Sequence, residues 1–235
     1  MIKRLAKGIL SGLGYEVRRA GSSRIVDFYN PSYLSRICQP RTVIDVGVGR
    51  GTYSLYEAFP KSYFVLIEPL KEYEMSIKKI LAKYDGEVHY KAVGNKKGLL
   101  KMNVDTANLP LSSFFDRTTL TKSGNVLEKR VVEITTLDTV FQNSGSMDGP
   151  ILLKIDTEGN ELCVLEGAKL LLQSTDFVIA EVSIASRFEG SYEFEDLINV
   201  MNNNGLSLLS FLHIEHSVKE IRPRFADVVF MRRNR

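Results

Sequence analysis

The chain predicts a doubly wound α/β fold whose mostly parallel, seven-stranded sheet ends in an antiparallel hairpin. Three observations carry this expectation. Short runs rich in β-branched and aromatic residues alternate with segments of helical periodicity, the pattern of successive βαβ units. The first run, Thr42–Gly47, ends in a glycine-rich turn that opens straight into a helical pattern. The last two strand-like runs are joined too briefly for a crossover helix, so they pair antiparallel.

In chain order, Thr42–Gly47 is the first strand, and Thr52–Phe59 is a helix stopped by Pro60. Tyr63–Glu68 is the second strand and Glu72–Tyr84 a helix. Glu87–Val93 reads as a third strand, with Gly98–Val104 forming a hairpin with it or extending the sheet. Asp105–Lys129 is polar, lacks a period and carries Ser112-Ser113-Phe114-Phe115. It is long for a connection in a compact domain and reads as a lid. Arg130–Thr135 is strand-like, Thr136–Phe141 a short helix and Ile151–Asp156 a strong strand. Glu161–Gln173 and Tyr192–Asn203 are helical on either side of the strand Phe177–Ser183. Leu206–His213 and Phe225–Arg232 form the closing hairpin.

Composition narrows the class. At 235 residues the chain suits one α/β domain, placed at 41–235, behind an N-terminal helical arm at 1–40. The 31 basic and 28 acidic residues leave a net charge of only +3, which gives no footprint for nucleic acid. A small-molecule or glycan acceptor is expected instead. Cys38 and Cys163 match no zinc or redox spacing and read as reduced thiols of a cytoplasmic protein. No apolar run approaches the roughly 20 residues that span a bilayer. Ile2, Leu5, Ala6, Ile9, Leu10 and Leu13 lie at helical spacing opposite Lys3, Arg4 and Lys7. Such a helix suits docking on the domain or on a second subunit of a homo-oligomer, and also peripheral membrane contact.

Three segments carry chemistry. In Asp45-Val46-Gly47-Val48-Gly49-Arg50-Gly51 a strand runs into Gly-x-Gly-x-Gly. Glycines there let the backbone approach a ligand, and the helix behind offers free N–H groups to an anion. The dinucleotide fingerprint would need glycine at position 52, which is Thr52. The spacing is instead the form used for S-adenosyl-L-methionine. Asp45, a charge inside a buried strand, accepts from loop N–H groups or lies near the cationic end of that cofactor. Glu68, ending the second strand before Pro69, suits the two hydroxyls of an adenosine ribose. In Lys154-Ile155-Asp156-Thr157-Glu158-Gly159-Asn160-Glu161, Lys154 and Asp156 share a strand face, and Glu161 falls where a helix dipole favours negative charge. Asp156 and Glu158 are candidates to remove a proton from an acceptor hydroxyl. Glu181, at the end of its strand, is a candidate to line the acceptor pocket. A divalent ion held by the same carboxylates is the alternative to a base, with no ligand spacing that indicates one. His213, Glu215 and His216 resemble a metal cluster but lack a third spaced ligand and read as a solvated turn.

With VIDVGVGRGTYS, LIEP, KAVGNKKG, SSFF, TTLDTV, LLKIDTEGNELCVLEGA, VIAEVS and ADVVFMRR, the sequence from Arg41 to Phe230 resembles the FkbM family of methyltransferases. The resemblance implies a Rossmann-like methyltransferase fold and O-methylation of a hydroxyl on a sugar, glycan or natural product. It implies S-adenosyl-L-methionine binding by Asp45, Gly47, Gly49, Gly51, Tyr53, Glu68, Pro69, Ala92 and Val93, the last two beside the adenine. One departure is Gly49, where the family usually carries asparagine. A nucleic-acid methyltransferase and a non-catalytic nucleoside-binding scaffold on the same fold are the alternatives. The acidic acceptor side disfavours the first, and intact Glu68, Asp156 and Glu158 disfavour the second.

Overall fold

A computed structural model describes residues 28–122, 124–144, 149–216 and 221–233. The amphipathic N-terminal segment read from sequence lies outside them.

The core of the fold is a seven-stranded sheet. It contains β1 (Thr42–Val46), β2 (Tyr63–Ile67), β3 (Gly86–His89), β7 (Ile151–Ile155), β8 (Thr175–Ser183), β9 (Leu206–Glu215) and β10 (Phe225–Arg232), in the order β3-β2-β1-β7-β8-β10-β9. β1 and β7 are buried at every position, which is why both read as continuous apolar runs. They pair in parallel, with Asp45 opposite Lys154. The chain fills the sheet outward from β1 to β3 and then returns to β7 on β1's other side. The strand order therefore reverses between β1 and β7, where open α/β sheets bind ligands. β10 pairs antiparallel with both β8 and β9, as the hairpin expectation required.

Helices cover both faces. On one, α1 (Pro31–Ile37), α2 (Tyr53–Ala58) and α3 (Glu74–Leu81) bury Leu34, Leu55, Tyr56, Ile77 and Ile80 with Val43, Leu152, Ile179 and Val229 of the sheet. On the other, α4 (Leu137–Asn143), α5 (Glu161–Glu166), α6 (Lys169–Ser174) and α7 (Phe194–Asn203) bury Leu137, Val164, Leu171, Leu197 and Met201 against Ile44, Leu153 and Val178. Residues 28–40, assigned by sequence to an arm, pack into the first layer through Leu34 and Cys38.

Three expectations change. The run Glu87–Val93 is not one strand: β3 ends at His89, and Ala92–Val93 forms β4 in a separate sheet with β5 (Gly98–Val104) and β6 (Glu128–Thr135), in the order β4-β6-β5. Nor does β5 pair with the third strand or extend the main sheet; its antiparallel partner is β6. The helix expected over Glu161–Gln173 breaks at Gly167. There Asp138 N–H takes the Gly167 carbonyl, and Asp138 Oδ1 accepts from the N–H groups of Leu170 and Leu171 at 2.9 and 3.0 Å, starting α6 afresh. Gly167 also packs so closely that a Cβ there would lie 2.0 Å from the Gly94 carbonyl oxygen.

Candidate active site

A cavity of about 300 Å³ opens outside the carboxyl ends of β1, β2 and β7, at the reversal point. Gly47, Gly49, Gly51, Glu68, Pro69, Ala92, Val93, Asp156, Glu158 and Glu181 all line it. The structure thus brings ten of the twelve sequence-chosen residues to one hollow.

The turn after β1 is fixed by packing and by hydrogen bonds. Gly47 has φ +76°, and a Cβ on it would fall 1.8 Å from the Asp156 carbonyl oxygen, so no other residue fits. Gly49 has φ +53° with nothing nearer to a Cβ than Tyr73 Cζ at 3.9 Å. This is the left-handed region that asparagine enters most readily after glycine, so the backbone here suits either residue. The N–H groups of Gly47, Gly49 and Gly51 are already used, donating to Ile67 O, Glu68 Oε2 and Val48 O. Val48 and Arg50 of the same turn also line the cavity.

Glu68 is buried at the end of β2. Its Oε2 accepts from Gly49 N–H at 2.9 Å and its Oε1 from Leu70 N–H at 2.8 Å. Burial pushes its carboxyl up to about 7, against the lowering effect of those two bonds. Each carboxylate oxygen keeps acceptor capacity for one more donor, which is what two ribose hydroxyls need. Tyr73, unremarked in the sequence, is buried in the cavity wall, and burial and then Glu68 push its hydroxyl up to about 12. Its position in Lys71-Glu72-Tyr73 gave no pattern to find it by.

Two chosen residues do not reach the cavity. Asp45 is fully buried beneath it: Oδ2 accepts from the Tyr56 hydroxyl at 2.5 Å, and Oδ1 lies 3.0 Å from Lys154 Nζ. Among the described residues it accepts from no loop N–H; its side chain points with Val43 under α2, and its partners are a tyrosine and a lysine. Tyr53 begins α2 and is 49% exposed, its ring edge-on to Tyr56 at 6.0 Å. The helix turns it away from the hollow.

Lys154 joins three elements. Its Nζ donates to Gly47 O at 3.0 Å, and it stands 3.6 Å from Asp156 Oδ2. Burial disfavours its charge, but Asp45 and Asp156 outweigh burial and hold it above the ordinary lysine value. Asp156, just past β7, has a side chain 37% exposed and facing the cavity.

Glu158 is the one non-glycine residue with positive φ among those described, at 53°. Backbone strain of this kind persists only where surroundings enforce it, and it gathers at functional sites. Here Ser113 Oγ donates to Glu158 O at 2.6 Å, while Glu158 Oε2 accepts from Arg117 at 2.8 Å and Arg187 at 2.7 Å. Arg187 also donates to Glu181 Oε1 at 2.6 Å. Burial raises the carboxyls of both Glu158 and Glu181, with Asp156 adding repulsion and Arg187 opposing it. Glu161 lies below, accepting from the N–H groups of Thr157 and Gly159 and so shaping the turn on which Glu158 stands. Carboxylate oxygens of Asp156, Glu158 and Glu181 come within 4.8 Å of one another. The two arginines occupy much of what a cation would use.

The Asp105–Lys129 segment roofs the cavity with Leu109, Pro110, Ser112 and Phe114. It is pinned by Ser113 and Arg117, and by Thr118 and Thr121 donating to Arg187 O. Arg117 and Arg187 were missed in the sequence because isolated arginines in loops carry no local pattern. His213 lies within β9 opposite Asp227, and not in a turn. Among the described residues, no helix is long and apolar enough to cross a membrane.

A family model described as the methyltransferase FkbM domain matches residues 45–208. No curated protein matches the sequence significantly. Among similar solved structures is magnesium protoporphyrin IX methyltransferase of Synechocystis PCC 6803 with bound S-adenosylmethionine. It is 10% identical, with 86% of this chain and 74% of that one covered, at a TM-score of 0.47. TehB of Haemophilus influenzae is 11% identical over 86% of this chain and 61% of its own, at 0.48. A TehB-like methyltransferase of Corynebacterium glutamicum is 10% identical over 98% and 96%, at 0.42.

Proposed function

The chain belongs to the FkbM family of S-adenosylmethionine-dependent methyltransferases, and on that premise we propose that it methylates a hydroxyl group of a sugar, glycan or natural product. The observation that carries this reading is the state of Asp156. Of the three carboxylates at the acceptor end it alone has no arginine bond, and it opens into the cavity beside the glycine turn.

When bound, the cofactor supplies a methyl group already activated by a sulfonium sulfur. Glu68 would receive the ribose hydroxyls on its remaining lone pairs. Val48 and Arg50, at the cavity wall, would hold the methionine carboxylate. Ala92, Val93 and Met102 offer an apolar wall to the adenine. At the other end, Asp156 accepts the proton of the attacking hydroxyl, a step typically contributing about 10²–10⁴-fold. Phe114 and Leu109 exclude water, and the rest is positioning. The occupied state of Glu158 and Glu181 favours this base over a metal ion.

Labelled S-adenosylmethionine offered with a panel of glycans, nucleotide sugars and polyphenols tests the reading. Label in a hydroxyl of one class is expected. Label only in nucleic acid or protein would overturn it.

A further inference from the structure

The cavity wall beside Glu68 holds a polar group that the chemistry above leaves idle. Tyr73 ends a short 3-10 turn, Lys71–Tyr73, that leads into α3. Three bonds hold the turn in place. Glu68 Oε1 accepts from Leu70 N–H at 2.8 Å just ahead of it, and Tyr73 N–H donates to Leu70 O at 3.1 Å. Glu72 Oε1 accepts from Arg130 of β6 at 2.7 Å, which ties the turn to the smaller sheet. The Tyr73 ring is therefore fixed in the cavity lining, with only 5% of the residue exposed.

Gly49 marks where the phenol stands. A Cβ on Gly49 would lie 3.9 Å from Tyr73 Cζ, the carbon that bears the hydroxyl, and would meet nothing nearer. The same glycine donates its N–H to Glu68 Oε2. Phenol and carboxylate thus flank one residue of the cofactor turn, at one corner of the cavity. No hydrogen bond joins them, and among the described residues the Tyr73 hydroxyl has no partner. Burial and then Glu68 keep the phenol protonated, with Arg50 opposing, so it is a donor. An ionised Glu68 only accepts, whereas a sugar hydroxyl both donates and accepts. An idle donor beside a half-filled acceptor is complementary to such a hydroxyl. Buried polar groups are nearly always bonded, so the phenol left over in a cavity wall points to a ligand.

We propose that Tyr73 is a further cofactor-binding residue, whose hydroxyl donates to the same ribose hydroxyl that Glu68 Oε2 accepts from. This rests on the seating of the ribose on Glu68. The pair then reads one hydroxyl in both of its roles, and a nucleoside without it leaves a donor and an acceptor unpaired together. Sites built in this way reject the analogue that lacks the group much more strongly than apolar contact can. Gly49 belongs to the same arrangement, because a side chain extending beyond Cβ would press on the phenol.

The test is calorimetry on the wild type and Tyr73→Phe with three ligands: S-adenosylhomocysteine and its 2′-deoxy and 3′-deoxy analogues. Tyr73→Phe keeps the ring and removes one donor that has no partner in the protein, so the free variant should melt no lower than the wild type. Its affinity for S-adenosylhomocysteine should fall roughly three- to tenfold, the loss of one neutral hydrogen bond. That penalty should vanish on the deoxy analogue that lacks the shared hydroxyl and persist on the other. Unchanged affinity in Tyr73→Phe, or a penalty of equal size on all three ligands, overturns the assignment and leaves Glu68 in place. A wild type that binds both deoxy analogues as tightly as the parent overturns it together with the seating of the ribose on Glu68.

Discussion

Lys154 makes its closest ion pair with Asp45, Nζ to Oδ1 at 3.0 Å, and stands 3.6 Å from Asp156. Asp45 is therefore its structural counter-ion, which leaves Asp156 available for the proposed role of base. Asp156→Asn is expected to melt near the wild-type temperature while kcat falls at least about 10²-fold. Asp45→Asn is expected to cost roughly 3–5 kcal/mol of stability, because it strands a buried ammonium and loosens Tyr56. Thermal melts and single-turnover rates on the two variants check the division. A destabilised Asp156→Asn with intact turnover would reverse it.

As the proposed acceptor of the ribose hydroxyls, Glu68 should couple cofactor binding to pH. Its carboxyl must be ionised to accept from two ribose hydroxyls, and burial holds it near 7. Affinity for S-adenosylhomocysteine should therefore rise as pH rises through about 7. Glu68→Ala removes a charged acceptor at about 1.5–3 kcal/mol, so affinity should fall roughly 10- to 150-fold. Calorimetry at pH 6 and 8 on both proteins reads each effect, and a pH-independent affinity would remove Glu68 from the ribose.

Stability of the free protein should run the opposite way. The carboxyls of Glu68 and Asp227 are raised to about 7 from ordinary values of 4.5 and 3.8. A raised acid favours the folded state below its unfolded value and loses that contribution as pH rises through the folded one. The denaturant midpoint should fall from about pH 5 to pH 8, each group contributing up to roughly 3 kcal/mol. Glu68→Gln and Asp227→Asn should each flatten the profile, and an unchanged slope would argue against raised values in the fold.

Chelation should leave turnover within about twofold, since guanidinium groups of Arg117 and Arg187 already bond the carboxylates that a cation would need. Removing Arg187 is the severe change: Arg187→Ala strands Glu158 and Glu181 together and should cost at least roughly 3 kcal/mol. Rates with and without EDTA, and the midpoint of the variant, check both statements.

Limited proteolysis should cut first around 124–127, where Val126 is 92% exposed, and not at 109–121, which is bonded to Glu158 and Arg187. The roof therefore behaves as fixed structure over most of the length that the sequence suggested as a lid. First cuts at 109–121, with protection by ligands, would restore the lid.

The legible parts of the site were those with local grammar. Gly47, Gly49 and Gly51 follow an apolar strand at fixed spacing, and Glu68 and Asp156 are charges at strand ends, so each announces itself within a few residues. The breaks after His89 and at Gly167 were not legible, because Asp138 and Gly94, which define the second, are distant in sequence. Arg117 and Arg187 gain meaning only when their loops converge on the carboxylates. Asp45 was recognised as needing a partner, but alternation along β1 decides that the partner lies beneath the cavity and not within it.

The three-stranded sheet leaves the main sheet after His89, and the chain rejoins it only at Ile151. Ala92, Val93, Met102, Leu109, Pro110, Ser112 and Phe114, the whole opposing wall of the cavity, therefore lie on one continuous excursion. Strand pairing in the seven-stranded sheet is indifferent to that excursion's length and composition. Ala92, Val93 and Met102 remain tied to the adenine of the methyl donor, but lineages can lengthen, shorten or rewrite the remainder to suit new acceptors, so diversity among related enzymes should concentrate between positions 105 and 129.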